Sequence, residues 1–166
     1  MEEVRLVREL PQNETIDWPA HPYPEFLRVE LSSDFNLNTA NTGPGLYTDG
    51  DSCPLRNPDR LIAFGPIATD RLAVESWRRG KQLAPNRRDG RYHYFVYVVP
   101  SSAPRKSFAN SNDLIPAYDL RKQERSICLR FHVPGYNIIR SRSDTVEVPK
   151  AMLAEVLRPQ PQPSRS

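Results

Sequence analysis

Apolar positions recur along the 166 residues in short dense runs, separated by polar stretches rich in proline. Most runs have the two-residue period of a strand, not the 3.6-residue period of a helix. FLRVELS, residues 26–32, alternates: Phe26, Leu27, Val29 and Leu31 supply the core side, and Arg28 and Glu30 are expected to face water. RLIAFGPI, residues 60–67, is a second strand candidate. Residues 91–99 form a third. Its even positions are Tyr92, Tyr94, Val96 and Val98, and its odd positions are Arg91, His93, Phe95, Tyr97 and Val99. Both sets are largely apolar, which places this strand in the middle of a sheet. Asp89-Gly90 just before it is a tight-turn signal. ERSICLRFHVPG, residues 124–135, sets Ile127, Leu129, Phe131 and Val133 against Ser126, Cys128, Arg130 and His132. Pro134-Gly135 turns the chain, and YNIIRSRSDTVEV returns as one or two strands. So short a connection requires antiparallel pairing.

Other segments read differently. EVRLVRE, residues 3–9, fits a short strand or a frayed turn. Residues 11–24 hold Pro11, Pro19, Pro22 and Pro24 around Trp18 and Tyr23, which favours an extended path and excludes a helix. Residues 38–59, rich in Asn, Gly, Pro and Asp, read as a long irregular loop, a feature more often functional than decorative. In TDRLAVESWRRG, residues 69–80, Leu72, Ala73, Ser76 and Trp77 fit a helical face, while Leu72 and Val74 also fit a strand; the pattern leans to helix. PKAMLAEVL, residues 149–157, is a helix with Pro149 at its start and Met152, Leu153, Val156 and Leu157 on one face. Together these predict a single domain of α+β or mainly β class: a proline-rich extended arm over 1–25, a globular antiparallel-sheet domain over 26–158 and a disordered tail over 159–166. Roughly five strands, near 26–32, 60–67, 91–99, 126–133 and 137–148, make a sheet covered by the C-terminal helix.

Composition narrows this picture. The 17 prolines are about twice average usage and argue against long helices. Net charge is +3, with 19 arginines against 4 lysines. Genome base composition explains such a bias; so does a use for guanidinium forks on phosphate or carboxylate. No apolar run is long enough to span a bilayer and the N-terminus has no apolar leader, so the expectation is a soluble cytoplasmic protein with no membrane partner. Cys53 and Cys128 lie 75 residues apart and are expected to be free thiols in that compartment.

Candidate chemistry is sparse. Cys53, Cys128, His21, His93 and His132 include no short-spaced pair, so no metal site and no cofactor is expected. Asp49-Gly50-Asp51 lacks calcium-loop spacing and reads as a solvated turn. Cys128 and His132 share a strand face but stand roughly 13 Å apart, too far for a dyad. No nucleophile-elbow or phosphate-loop motif is present, and no catalytic residue is assigned. His93 reads as a strand residue with a structural role. Basic residues do cluster: Arg78, Arg79, Lys81, Arg87, Arg88 and Arg91 meet only Asp89. A second basic group, Arg130, Arg140 and Arg142, forms if the strands joined by Pro134-Gly135 lie side by side.

The leading expectation is a non-enzymatic protein–protein interaction module, of inhibitor or immunity type or a subunit of a larger assembly. Its partner is another protein or a further copy of itself. Trp18, Tyr23, Arg78, Arg79, Arg87, Arg88 and Arg91 are the partner-binding candidates, because aromatic and Arg side chains dominate interface hot spots. Two alternatives remain: a nucleic-acid-binding protein using the Arg78–Arg91 segment, and an enzyme with a site near the 38–59 loop and His93 or His132.

Overall fold

A computed structural model describes residues 1–7, 23–37, 47–67, 87–108, 110–135 and 138–158. Its strands are β1 (Glu3–Val7), β2 (Phe26–Ser33), β3 (Tyr47–Ser52), β4 (Ala63–Ile67), β5 (Arg87–Arg88), β6 (Arg91–Val98), β7 (Ser101–Ser102), β8 (Arg105–Lys106), β9 (Leu114–Ile115), β10 (Tyr118–Asp119), β11 (Ile127–Gly135), β12 (Ile138–Arg142) and β13 (Val146–Val148). Among the described residues there is one α-helix, α1 (Lys150–Val156), and Pro149 stands at its N-cap. The class is α+β, mostly antiparallel sheet in one domain, as the patterning predicts.

The strands form two principal sheets. The first runs β1-β2-β6-β4, with β5 hairpinned onto β6. Strand β6 is central, pairing β2 through Leu27↔Val98 to Ser33↔Tyr92 and β4 on its other side. The turn into it is Asp89-Gly90, both at positive φ, 50° and 80°, as a two-residue hairpin demands. In the second sheet β11 is the middle strand. It pairs β3 along one side, and β13 and β12 in succession along the other.

One core joins these layers. Leu27, Val29, Leu31, Val96 and Val98 of the first sheet meet Ile127, Leu129, Phe131 and Val148 of the second. Leu153 and Leu157 of the helix complete the cluster, which is the face the sequence assigns to them. The outer side of the first sheet is also closed: Phe26, Ile62, Phe95, Tyr97 and Val99 form a second buried cluster, with Tyr23 and Phe64 at its rim.

Several expectations change. Arg28 and Glu30 do not stand in open water: they share their face with the rings of Phe26, Phe95 and Tyr97, and the Arg28 side chain is 16% exposed. Glu30 is only 7% exposed. Part of the supposed loop at 38–59 is the regular strand β3, since Tyr47–Ser52 supply the partner that β11 needs; residues 38–46 lie outside the described residues. Asp49-Gly50-Asp51 is therefore no solvated turn: Asp49 and Asp51 are buried, and Gly50 packs its backbone against Leu61 and Leu129. Asp51 accepts the backbone N–H groups of Ser52, Arg56 and Asn57, which organises the chain after β3.

The cysteines are not free. Register Cys128↔Asp51 puts Cys53, two residues further on the same face, beside Cys128. Their Cα atoms are 5.1 Å apart and the sulfurs are bonded. Separation of 75 residues in sequence does not matter once β3 lies alongside β11. Residues 3–7, the start of the expected arm, are an edge strand paired with β2. The helix leaning of 69–80, most of the arm and the tail beyond 158 lie outside the described residues.

Candidate functional site

Three groups of side chains merit weighing. The first lies on the outer face of the first sheet. Register Glu30↔Phe95 and Ser32↔His93 places Glu30 and His93 as diagonal neighbours, and the β5–β6 hairpin brings Arg88 onto the same face. His93 Nδ1 is 3.1 Å from Glu30 Oε1 and 2.9 Å from Arg88 Nη2. Arg88 also donates to Glu30. Arg28 stands 3.9 Å from Glu30 and lies over the Phe95 ring at 4.5 Å. Glu30 and His93 are 7% and 8% exposed. A carboxylate ringed by two guanidiniums and an imidazole, and shut from solvent, is a staple across β2, β5 and β6 rather than a place for a ligand. His93 thus rides on its strand, as its position there suggests, but with a buried partner that only the register discloses.

The arginine candidates around it are also engaged. Arg91 Nε donates to Asp34 Oδ1 at 2.9 Å and Nη1 lies 3.6 Å from Glu2. Arg87 covers the Tyr92 ring at 5.5 Å. Tyr23 packs edge-on against Phe26 at 6.4 Å. Trp18, Arg78 and Arg79 lie outside the described residues.

The second group lies on the outer face of the second sheet. Asp49, 6% exposed, takes Arg130 Nε and Nη2 on one oxygen at 3.1 and 2.7 Å. His132 Nδ1 is 2.9 Å from its other oxygen, off the line of a hydrogen bond. Tyr47 stacks on the His132 ring with centroids 5.8 Å apart and planes 22° apart. Strands β11 and β12 do lie side by side, with Arg142 opposite His132. Arg130 is spent on Asp49, however, and the side chain of Arg140 lies outside the described residues.

The third group is the β8–β9 hairpin. Ile115 is buried, whereas Phe108 is 76% and Leu114 70% exposed, the two largest apolar exposures among the described residues. The loop is fixed from within. Ser107 N donates to Asp113 O, Asn110 N to Ser107 Oγ and Asn110 Nδ2 to Asp113 Oδ2. It is fixed from below by Asp59, which accepts Phe108 N at 2.6 Å and Arg105 at its carbonyl and carboxylate. The Arg105 guanidinium lies 4.4 Å over the Phe108 ring. The sequence hides this hairpin because strands of two residues carry no periodicity.

Among the described residues no cluster of three His, Cys, Asp or Glu could hold a metal ion. No helix among them is long and apolar enough to cross a membrane. The chain matches no known family model, no curated protein and no solved structure.

Proposed function

We propose that this chain is a non-enzymatic protein-binding module, an inhibitor or immunity-type protein or an assembly subunit, that engages its partner through the β8–β9 hairpin. The observation that carries this reading is the exposure of Phe108 and Leu114 on a hairpin braced by bonds among Ser107, Asn110 and Asp113. Scattered exposed apolar residues are ordinary. Two on one internally braced hairpin are a preformed anchor, because ordering cost is met before the partner arrives. Arg105 adds a guanidinium beside the Phe108 ring, and aromatic and Arg residues are the commonest hot spots.

The nucleic-acid reading loses support from Arg88 and Arg91, whose charges are paired within the chain. The Cys53–Cys128 bond further favours folding in an oxidising compartment over the cytoplasm, where disulfides are rare. Replacing Phe108 and Leu114 together by alanine and serine tests the module directly. Each truncation is expected to cost about 2 kcal/mol of binding, roughly 30-fold in affinity, with the melting temperature unchanged. Equal capture of the same partner by both proteins would remove the hairpin from the interface.

A further inference from the structure

The hairpin that carries Phe108 and Leu114 is longer than β8 and β9 alone. Strands β7 and β10 pair through Ser102↔Tyr118, and β8 and β9 through Arg105↔Ile115. Two residues lie between these pairs on each side, so the register carries through without a slip. Pro104 then falls opposite Pro116. Neither has an N–H to donate, which breaks one ladder into two. At the base Leu120 N donates to Pro100 O, and at the tip Ser107 N donates to Asp113 O. Residues 100–120 are thus one antiparallel arm.

Alternation gives the arm an inner and an outer face. Arg105, Ser107 and Ile115 share the inner one: Ser107 and Ile115 are buried, and Arg105 is held by Asp59. Pro104, Lys106, Leu114 and Pro116 share the outer one, and all four are exposed. Lys106 stands directly opposite Leu114 and has no ion pair among the described residues. The two carboxylates that brace the hairpin are committed elsewhere. Asp59 is paired with Arg105. Asp113, next to Leu114 in sequence, belongs by alternation to the inner face and accepts Asn110 Nδ2. The outer face is therefore apolar surface around one ammonium. A partner that covers it desolvates that charge, a cost that a carboxylate opposite it offsets. The whole chain carries +3, which disfavours a second copy and favours an acidic partner. Resting on the hairpin reading above, we infer that the partner is a different protein, whose apolar pocket for Phe108 and Leu114 carries an Asp or Glu carboxylate within reach of Lys106 Nζ.

Two cross-links, made with the full chain in extract of the native cell, test this. A photo-crosslinking side chain at position 108 marks the partner. A carbodiimide joins Lys106 Nζ to a carboxylate in direct contact, forming an amide while the reagent takes up the water released. Mass spectrometry of the digested adducts locates both bonds. We expect them in one partner protein, with the Lys106 amide on an Asp or Glu. Binding of that protein, once purified, gives a second readout. Lys106→Glu, at an exposed position, should slow its association roughly tenfold at low salt and less at high salt, and Lys106→Arg should keep the wild-type rate. Photo-adducts without a Lys106 amide, or an unchanged rate for Lys106→Glu, would overturn the carboxylate while leaving the hairpin in the interface. A Lys106 amide to a second copy of this chain would overturn it likewise. No adduct from position 108 while the partner is still captured would remove the hairpin, and this inference with it.

Discussion

At the level of single residues, several polar groups are buried where the sequence pattern expects water. Glu30 shows why. The reading of FLRVELS puts Phe26 with Leu27, Val29 and Leu31, whereas the strand turns Phe26 to the other face with Arg28 and Glu30. Alternation cannot say that this second face is largely buried as well, because that depends on what packs against the sheet. Removing the carboxylate takes the ion-pair partner of Arg88 away beside a buried imidazole, while Arg28 keeps Glu3. Since Arg88 is half exposed, the cost is below that of a fully buried pair: Glu30→Ala should lose about 2–3 kcal/mol in denaturant unfolding. A loss near zero would mean that solvent already screens the staple.

Tyr118 makes the same point with a titration attached. Its hydroxyl donates to Val99 O at 3.0 Å and accepts Ile62 N at 3.1 Å, tying β10 to the buried ends of two other segments. Burial pushes its hydroxyl up to about 12, from 10.0. Burial raises Tyr94 and Tyr97 as well. As pH rises past about 10 the unfolded chain gives up these protons first, so the stability they contribute is intact below pH 10 and is lost between about 10 and 12. Tyr118→Phe should cost about 1–3 kcal/mol at neutral pH and flatten part of that alkaline decline. Unfolding midpoints measured from neutral to alkaline pH check both.

At the scale of the element, regular periodic strands were the legible part. Strands β2, β6, β11 and the helix α1 follow from their spacing, and Asp89-Gly90 marks its hairpin. Strand β3 does not follow, because Tyr47–Ser52 reads YTDGDS, with no apolar alternation and a glycine in the middle. That glycine is there for space: a Cβ at Gly50 would stand 3.1 Å from Leu61 Cβ. The strand also exists because β11 pairs its full length, a cause that lies 80 residues away. Gly50→Val should therefore overpack the junction between the sheets and cost about 1–3 kcal/mol, read as a lower unfolding midpoint with an unchanged m-value. The hairpin of β8 and β9 is likewise held from outside, by Asp59 and by Arg60, which donates to the carbonyls of Pro116 and Ala117.

At the scale of the whole molecule, register is what turns scattered residues into sites. Asp49 and His132 are 83 positions apart in sequence, yet the β3–β11 ladder brings them within 2.9 Å. The same ladder joins Cys53 to Cys128. That bond closes a loop of 75 residues, which in the chain-entropy account stabilises the fold by about 4 kcal/mol. Reductant, or replacement of both cysteines by alanine, should lower the melting temperature accordingly, and protein alkylated on extraction should carry no free thiol. Recovery of both thiols labelled would return the chain to a reducing compartment.

On the proposed reading, the β8–β9 hairpin is the contact surface for a protein partner. A photo-crosslinking side chain placed at position 108, with a control at the exposed turn residue Asp89, tests it most directly in the native cell. The expected result is one discrete adduct from position 108 and none from position 89. Adducts of equal yield from both positions, or none from 108 while the partner still co-purifies, would contradict it.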